Sequence, residues 1–216
     1  EAGGAQAGAL VSKGTSALDT VFRIGSYTNE DAQVNNWNNY LNFVSVMASE
    51  NDTQITFANL PAGLIIKNYS GASPVIITLD RGESYTLATN SADALINEDG
   101  LIGCLVTSDK PIVVNCGSAN GSFHNGGARD YGIDQIVGLS KVGNEYIFVR
   151  GVGPSEVERP LIVAHEPNTE IYVNGVLEFT IAQAGEHYSI PSDKYGVDYP
   201  YWSGTGPAVN ESSNMH

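Results

Sequence analysis

The sequence is poor in basic residues: lysine and arginine number 10, against 24 aspartate and glutamate residues, and the formal net charge is −14. Nucleic acid is therefore a poor partner, because its phosphates require clustered lysine and arginine side chains. An anionic membrane surface is disfavoured for the same reason. The acidity is compatible with a cation or a basic patch on a partner, and equally with an extracellular protein that stays soluble through its charge.

Long hydrophobic runs are also missing. No stretch approaches the ~18 apolar residues of a membrane-spanning helix, and no basic-then-apolar signal segment opens the sequence. Residues 1–10 are rich in alanine and glycine and are typical of a mature N-terminus or a linker. Residues 207–216 contain no predicted closing strand, so we expect a fragment of a longer extracellular, cell-surface protein.

Recognisable catalytic patterns are absent from the sequence. There is no G-x-S-x-G nucleophile elbow and no phosphate-binding P-loop. A pair of carboxylates that hydrolyses glycosides is not excluded, because the distance between two carboxylates depends on the fold and cannot be read from the sequence. We therefore expect a protein that is not an enzyme, with a hydrolase that acts on polysaccharide as the alternative.

The sequence does contain a series of short strand patterns. Apolar or β-branched residues alternate with polar ones and are bounded by Gly, Pro, Asn, Asp or Ser, as in β-strands. The clearest examples are Phe43–Ala48, Thr53–Phe57 and Val75–Leu79. A helical period of apolar residues is sustained nowhere. The pattern predicts an all-β protein with a sandwich-like architecture.

An internal repeat organises these strands. Residues 46–57 (VMASENDTQITF) align with 162–173 (IVAHEPNTEIYV), and residues 79–87 (LDRGESYTL) align with 182–190 (AQAGEHYSI). The first copy carries an insertion around 69–74. In each copy an apolar strand reaches a polar turn that suits Asn and Asp, and an alternating strand returns. The glutamate and threonine residues of these turns are therefore predicted to shape the backbone, not to catalyse a reaction.

The repeat predicts two tandem, related β-sandwich-like modules. The expected division is an Ala/Gly-rich N-terminal segment 1–10, a first module 11–118, a Gly-rich connecting loop 119–132 and a second module 133–216. The second module lacks counterparts of the final strands of the first, so we expect an unpaired strand edge there. A parent chain that continues, which we favour, or a partner that adds a strand can cover this edge.

Cysteine is scarce, with only Cys104 and Cys116 in the chain. The turn-forming residues Ser108–Pro111 lie between them, so we expect a β-hairpin that places the two cysteines on facing strands. A disulfide can form in that arrangement in an exported protein. Two buried free thiols are the alternative. A metal site is not expected at the cysteines, because two cysteines without nearby histidines form no zinc pattern.

The Gly-rich loop that follows is a first candidate binding site, since long polar loops between strands often carry function. Its candidate ligand-binding residues are Asn120, His124, Arg129 and Asp130. Calcium is the one cofactor considered, with Asp130 and Asp134 as weak candidate ligands, because calcium prefers oxygen ligands. The spacing of these residues matches no EF-hand loop, and a solvated connection between the modules is the alternative.

Aromatic residues in Asn- or Gly-rich segments form a second candidate. Trp37, Tyr40 and Trp202 are expected to lie in loops, where exposed rings stack on sugars or anchor a protein partner. The alternative is that these rings fill the ends of the fold.

Segments spread along the chain resemble a known family. Residues 105–114 (LVTSDKPIVV) resemble its S-D-K-P-I-x-V segment, and residues 134–137 (DQIV) followed by 143–147 (GNEYI) resemble its D-Q-L-x-P…G-x-x-Y-I segment. Residues 164–173 (AHEPNTEIYV) resemble its A-x-x-x-x-T-x-V-x-V strand pair. In this order, over about residues 20–190, the chain is similar to the N-terminal domain of IgG Fc-binding protein and its bacterial cell-surface and adhesin relatives.

The resemblance implies a β-rich, non-catalytic extracellular module within a larger exported surface protein, and it brings no catalytic residues with it. The expected partners are a protein or glycan on another surface, and further modules of the same chain or neighbouring subunits. Nucleic acid and direct membrane insertion are not expected. A structural stalk or filament subunit that assembles by β-strand complementation is the alternative.

Overall fold

A computed structural model describes residues 10–26, 40–121, 130–149, 159–191, 194 and 212–215, with the backbone alone at 120–121, 130 and 212–215. In these ranges the protein is all-β, and its helical segments are single 3-10 turns at Gly14–Ala17, Leu95–Asn97 and Leu139–Lys141. No helix among the described residues has the length and apolar character needed to cross a membrane.

The chain divides into two compact units, Glu1–Val142 and Gly143–His216. Where the structure describes the first unit, its strands form one antiparallel sheet of seven. These strands are β1 (Asp19–Arg23), β2 (Leu41–Ala48), β3 (Thr53–Ala58), β4 (Val75–Leu79), β5 (Ser84–Asn90), β6 (Leu105–Gly121) and β7 (Asp130–Ile136). Strand β7 pairs with β6 and so belongs to the first unit. The boundary between the two units therefore follows Val142, later in the chain than the connecting loop 119–132 that the sequence predicts.

Strand β6 is the organising element of this sheet, because it changes partners along its 17 residues. Its first residues pair with β3, in the register Ala58↔Leu105, and with β1. Its last residues pair with β2, from Ala48↔Ile112 onward, and with β7. The change of partners occurs at Ser108–Ile112, which we call the fold line, and there the Ser108 hydroxyl donates to the Lys110 carbonyl at 2.7 Å.

The predicted hairpin at Ser108–Pro111 is therefore wrong: the segment is part of one continuous strand. Pro111 falls between the residues that pair with β3 and those that pair with β2. A proline lacks the N–H that a ladder requires, and at a change of partners the missing donor costs no ladder bond. The same proline that is typical of a turn therefore fits inside β6.

One core holds the two halves of the curled sheet together. Alternate residues of β2 are buried, as expected for a strand with one face on a core. Strand residues from both sides of the fold line belong to a single buried cluster, which includes Phe22, Ile24, Val44, Val46, Ile55, Phe57, Val75, Leu87, Val106 and Val114. Burial of each large apolar side chain contributes about 1.5–3 kcal/mol, so this cluster is the main stabilising feature of the unit.

The two cysteines are buried free thiols in this core, which is the second of the two arrangements that the sequence leaves open, and no disulfide joins them. Cys104 directly precedes β6 and Cys116 lies within it, so the cysteines do not face each other across a hairpin. Cys116 Sγ instead donates to the Gly25 carbonyl at 3.1 Å. Burial raises the pKa of each thiol to about 12, which makes both poor nucleophiles.

We expect native protein at pH 8 to resist iodoacetamide, and both cysteines to react once urea unfolds the chain; intact mass measures the labels. The thiol pKa rises from 9.0 in the reference state to about 12 in the fold. The thiols' contribution to stability is therefore complete below pH 9 and is lost as the pH rises towards 12, because the unfolded chain releases these protons first. Rapid labelling of the native chain would contradict this assignment.

Close packing of β6 against β7 gives a second prediction. A Cβ atom added at Gly117 would lie 2.0 Å from the Gly132 carbonyl oxygen. Gly117→Ala should therefore lower the free energy of unfolding by about 1–3 kcal/mol through overpacking. Gly143→Ala is the matched control, because its added Cβ would have no neighbour nearer than 4.0 Å. Equal stability of the two variants in urea denaturation would show that β7 is not packed as described.

The described residues of the second unit form six strands. They are β8 (Tyr146–Val149), β9 (Leu161–Val163), β10 (Thr169–Val173), β11 (Val176–Ile181), β12 (His187–Ser189) and β13 (Ser212–Met215). One sheet has the order β11-β10-β13-β8, and a second pairs β12 with β9. Strand β13 corrects the expectation that residues 207–216 hold no closing strand. The core of the unit consists of Ala164, Ile171, Val173, Ile181 and Ile190.

The turns of the two units share a set of equivalent hydrogen bonds. Ala48 N donates to the Glu83 carbonyl at 3.1 Å, and Ala164 N donates to the Glu186 carbonyl at 3.0 Å. The Glu83 carboxylate accepts from Asp80 N at 2.8 Å, and the Glu186 carboxylate accepts from the backbone N of the corresponding residue at 3.0 Å. The duplicated sequence blocks therefore form the same local structure.

The duplicated threonines have the same role. The Thr53 hydroxyl donates to the Glu50 carbonyl at 2.8 Å, and the Thr169 hydroxyl donates to the Glu166 carbonyl at 2.7 Å. The residue before each threonine has a positive φ, 52° and 57°, which Asp and Asn tolerate well. Each shared side chain is thus engaged with a turn.

Candidate functional site

The connections between strands of the first unit emerge away from the fold line and define what we call the loop end. Their described residues are 24–26, 59–74 and 91–104. Ile24 N donates to the Cys104 carbonyl at 2.9 Å, while the Gly25 carbonyl accepts from Cys116. The residues after β1 thus contact both the residue that precedes β6 and the second half of β6, so the curl of the sheet brings these two parts of the chain together here.

Asn97 joins two of these connections. Its side chain is fully buried. Asn97 Oδ1 accepts from Ile65 N at 2.9 Å, and its Nδ2 donates to the Ile65 carbonyl at 3.1 Å and to the Asn90 carbonyl at 2.9 Å. The amide therefore pairs with the loop backbone as a neighbouring strand would, and fixes the connection 59–74 against 91–104.

Asn42 extends this network from β2. Its Nδ2 donates to the carbonyls of Asn97 and Glu98, each at 2.9 Å, and lies 3.1 Å from Ser91 Oγ. Asn42 and Ser91 are buried. Buried polar groups that are satisfied in this way hold a single arrangement, because leaving any of them unpaired is costly. The connection 91–104 is therefore held to the rigid sheet.

The fixed loops present apolar side chains to solvent. Ile65 is 46% exposed and Leu95, in the same 3-10 turn as Asn97, is 69% exposed. An ion pair bridges the same two connections, with Lys67 Nζ 2.9 Å from Asp93 Oδ2. We call these four residues the Ile65–Leu95 surface. Exposed apolar side chains on fixed loops, with a charged pair on the same two connections, are suited to contact with another macromolecule.

The binding residues predicted from the sequence lie in different parts of the structure. Tyr40 is 1% exposed, and its carbonyl accepts from Ser91 N at 2.9 Å. The expectation of an exposed ring is therefore wrong for Tyr40, whose ring fills the end of the fold. Asn120 and Asp130 lie on β6 and β7 beside the loop end. Trp37, His124, Arg129 and Trp202 lie outside the described residues.

Asp134, a candidate calcium ligand, lies on β7 with its carboxylate 2.7 Å from Lys13 Nζ. The lysine ammonium supplies the positive charge at this carboxylate. Within the described ranges, no group of three or more His, Cys, Asp or Glu residues is arranged to hold a metal ion. The side chain of Asp130, the other candidate ligand, is not described.

Sequence reasoning missed Asn42, Asn97, Ile65 and Leu95. Leu95 and Asn97 lie in a single 3-10 turn, Leu95–Asn97, which is too short to leave a periodic pattern in the sequence. The available signal was an isolated apolar pair, Leu95-Ile96, within a polar stretch. The partner of Asn97 is 32 residues earlier in the chain, which no local pattern reveals.

The fold and this surface define an all-β scaffold that presents loops at one end, without a described catalytic or metal constellation. A family model described as IgGFc binding protein matches residues 8–203. The chain belongs to this family, and the resemblance predicted from its segments is confirmed. Neither a comparison with curated proteins nor one with solved structures gave a match.

Proposed function

We propose that the chain is a non-catalytic extracellular binding module of a larger exported surface protein, and that it binds a protein partner through the Ile65–Leu95 surface. The observation that carries the proposal is the buried Asn97 amide, which fixes two loops while Ile65 and Leu95 stay exposed. A preorganised apolar surface loses little conformational entropy on binding. Membership of a family of binding proteins supports the same role.

The Fc region of IgG is the first partner to test, because the family description names it. The net charge of −14 favours a partner with basic residues facing this surface, since complementary charge speeds association. The sequence-predicted candidates Trp37, Asn120, His124, Arg129 and Asp130 are proposed as further contacts, with an adhesive role on a cell surface as the setting.

Biolayer interferometry with immobilised Fc tests this function. The unaltered chain should bind, and the double variant Ile65→Ser, Leu95→Ser should bind at least about tenfold more weakly, since central apolar contacts carry most of the energy of an interface. Ile76→Ser is the matched control, because Ile76 is 56% exposed but lies on β4. Equal loss in both variants would argue against this surface. Binding in a glycan array without binding to Fc would assign a glycan partner instead.

A further inference from the structure

The chain enters and leaves the first unit at the same end. Strand β1 begins at Asp19, which pairs with Ile112 at the fold line, and it runs from there towards the loop end. Strand β7 returns from the loop end and finishes at Ile136, which pairs with Val114 just beyond the fold line. The entry and the exit of the unit therefore lie close together, at the end opposite the Ile65–Leu95 surface.

Asp19 joins the entry of the unit to its exit. Its Oδ2 accepts from Ser140 N at 3.0 Å, and its Oδ1 accepts from Thr20 N at 2.7 Å. Gly138 lies so close that a Cβ atom added there would be 2.0 Å from Asp19 Cβ. The Asp19 side chain thus holds the segment after β7, which includes the 3-10 turn Leu139–Lys141, against the first residue of β1.

Lys13 forms a second connection between the same two segments. Its backbone N donates to Gln135 Oε1, and its Nζ donates to the Gln135 carbonyl, while Gln135 itself is 6% exposed. The ion pair between Lys13 Nζ and Asp134, at 2.7 Å, is partly exposed and contributes little by itself. Ala17, in the 3-10 turn that follows Lys13, is fully buried and attaches the rest of the segment to the fold.

We propose that residues 13–19 and 134–140, which we call the clamp, take up tension applied along the chain, so that the clamp opens before the sheet and the Ile65–Leu95 surface are disturbed. The clamp spans the shortest path between entry and exit, so its contacts receive the force first. It has few buried contacts and therefore opens at a lower free energy than the core. The inference extends the proposed function, because the surface keeps its shape under tension, but its test requires no partner.

Single-molecule force measurements on the 216-residue chain test the clamp. Handles are attached at Leu10→Cys and Gly143→Cys, so that the force acts across the first unit alone. Both positions are open: Leu10 is 44% exposed, and a Cβ atom at Gly143 would have no neighbour nearer than 4.0 Å. The two native cysteines are buried free thiols and should stay unlabelled. At constant force the extension should increase in two steps, a small reversible one and then the unfolding of the sheet.

The size of the small step identifies its origin. Opening of the clamp frees the chain from Lys13 to Asp19 and from Ile136 to Ser140. These segments add about ten extended residues, so the extension should grow by at most ~35 Å. Unfolding of the sheet then releases the much longer segment between Asp19 and Ile136. The two events are therefore distinguished by their lengths alone.

Substitutions in the clamp should change the small step. In the double variant Lys13→Ala, Asp19→Ala this step should occur at least tenfold faster at a fixed force, since hydrogen bonds to charged groups are among the stronger ones. Asp19→Asn keeps an acceptor for Ser140 N and should stay close to the original rate. Asp80→Ala is the matched control, because the Asp80 carboxylate also accepts from one backbone N–H, that of Asp52 at 3.0 Å, but in a turn outside the clamp.

Each single substitution should give part of the increase, which keeps the test valid if the double variant does not fold; a retained large step shows that a variant is folded. Three outcomes overturn the proposal. Unfolding of the unaltered chain in one step would mean that the clamp does not open separately. Equal rates of the small step in the clamp variants and in Asp80→Ala would mean that other contacts hold the entry to the exit. A faster large step with an unchanged small step would assign these contacts to the stability of the sheet.

Discussion

Asn97→Ala is expected to lower the free energy of unfolding by about 3–5 kcal/mol, because three buried hydrogen bonds are lost together and each unpaired group costs about 1–3 kcal/mol. The Ile65 N–H, the Ile65 carbonyl and the Asn90 carbonyl would be left without this partner. Urea denaturation followed by circular dichroism measures the change. Binding to Fc should weaken as well, because the connection 59–74 loses its attachment.

Asn144→Ala is the matched control for this experiment, since Asn144 is an exposed asparagine in a bend. Its effect should stay within about 0.5 kcal/mol, as for most surface substitutions. A similar small effect for Asn97→Ala would mean that the amide network does not hold the loops. The proposed binding surface would then lack its physical basis.

Phe57→Ala is the second substitution with a large expected effect. Phe57 of β3 is fully buried, and its ring centroid lies 6.1 Å from that of Tyr85 on β5. Removal of a buried phenylalanine side chain leaves a cavity and should destabilise the unit by about 3–5 kcal/mol. The free energy of unfolding in urea is the measurement.

Ile76→Ala serves as the control for Phe57→Ala, because Ile76 lies on the neighbouring strand β4 with its side chain exposed. It should change the stability by less than about 1 kcal/mol. If the two variants lost equal stability, the single core shared by both halves of the curled sheet would be in doubt.

Much of the local structure could be predicted from the sequence. The alternation in Phe43–Ala48 and Val75–Leu79 predicts β2 and β4 within two residues at each end. The repeated blocks predict turns that prove to have the same hydrogen bonds, at Glu83 and at Glu186. These features are local, because a strand facing a core must alternate and a tight turn needs particular residues.

The course of β6 could not be predicted in this way. Ser108–Pro111 has the composition of a turn, and only the succession of partners, β3 and then β2, makes it a continuous strand. The choice between a disulfide and two free thiols could not be made from the sequence for the same reason, because the disulfide depended on the hairpin. Strand β13, Ser212–Met215, has no apolar alternation and is defined by the backbone pairing of its neighbours.

The residues of the candidate site could not be predicted from the sequence either. The Gly-rich loop and the aromatic residues attract attention because polar loops and exposed rings often bind ligands. The buried Tyr40 ring and the Asn97 amide are distinguished only by their surroundings. An asparagine that fixes a loop and one that faces solvent have the same local sequence signal.

Hydrogen exchange of the chain with and without Fc, read by mass spectrometry, tests the central claim most directly. The account predicts that bound Fc slows exchange in 59–74 and 91–104, the two connections that Asn97 joins. Slowed exchange confined to the turns at 49–52 and 80–83, or to none of the first unit, would contradict it.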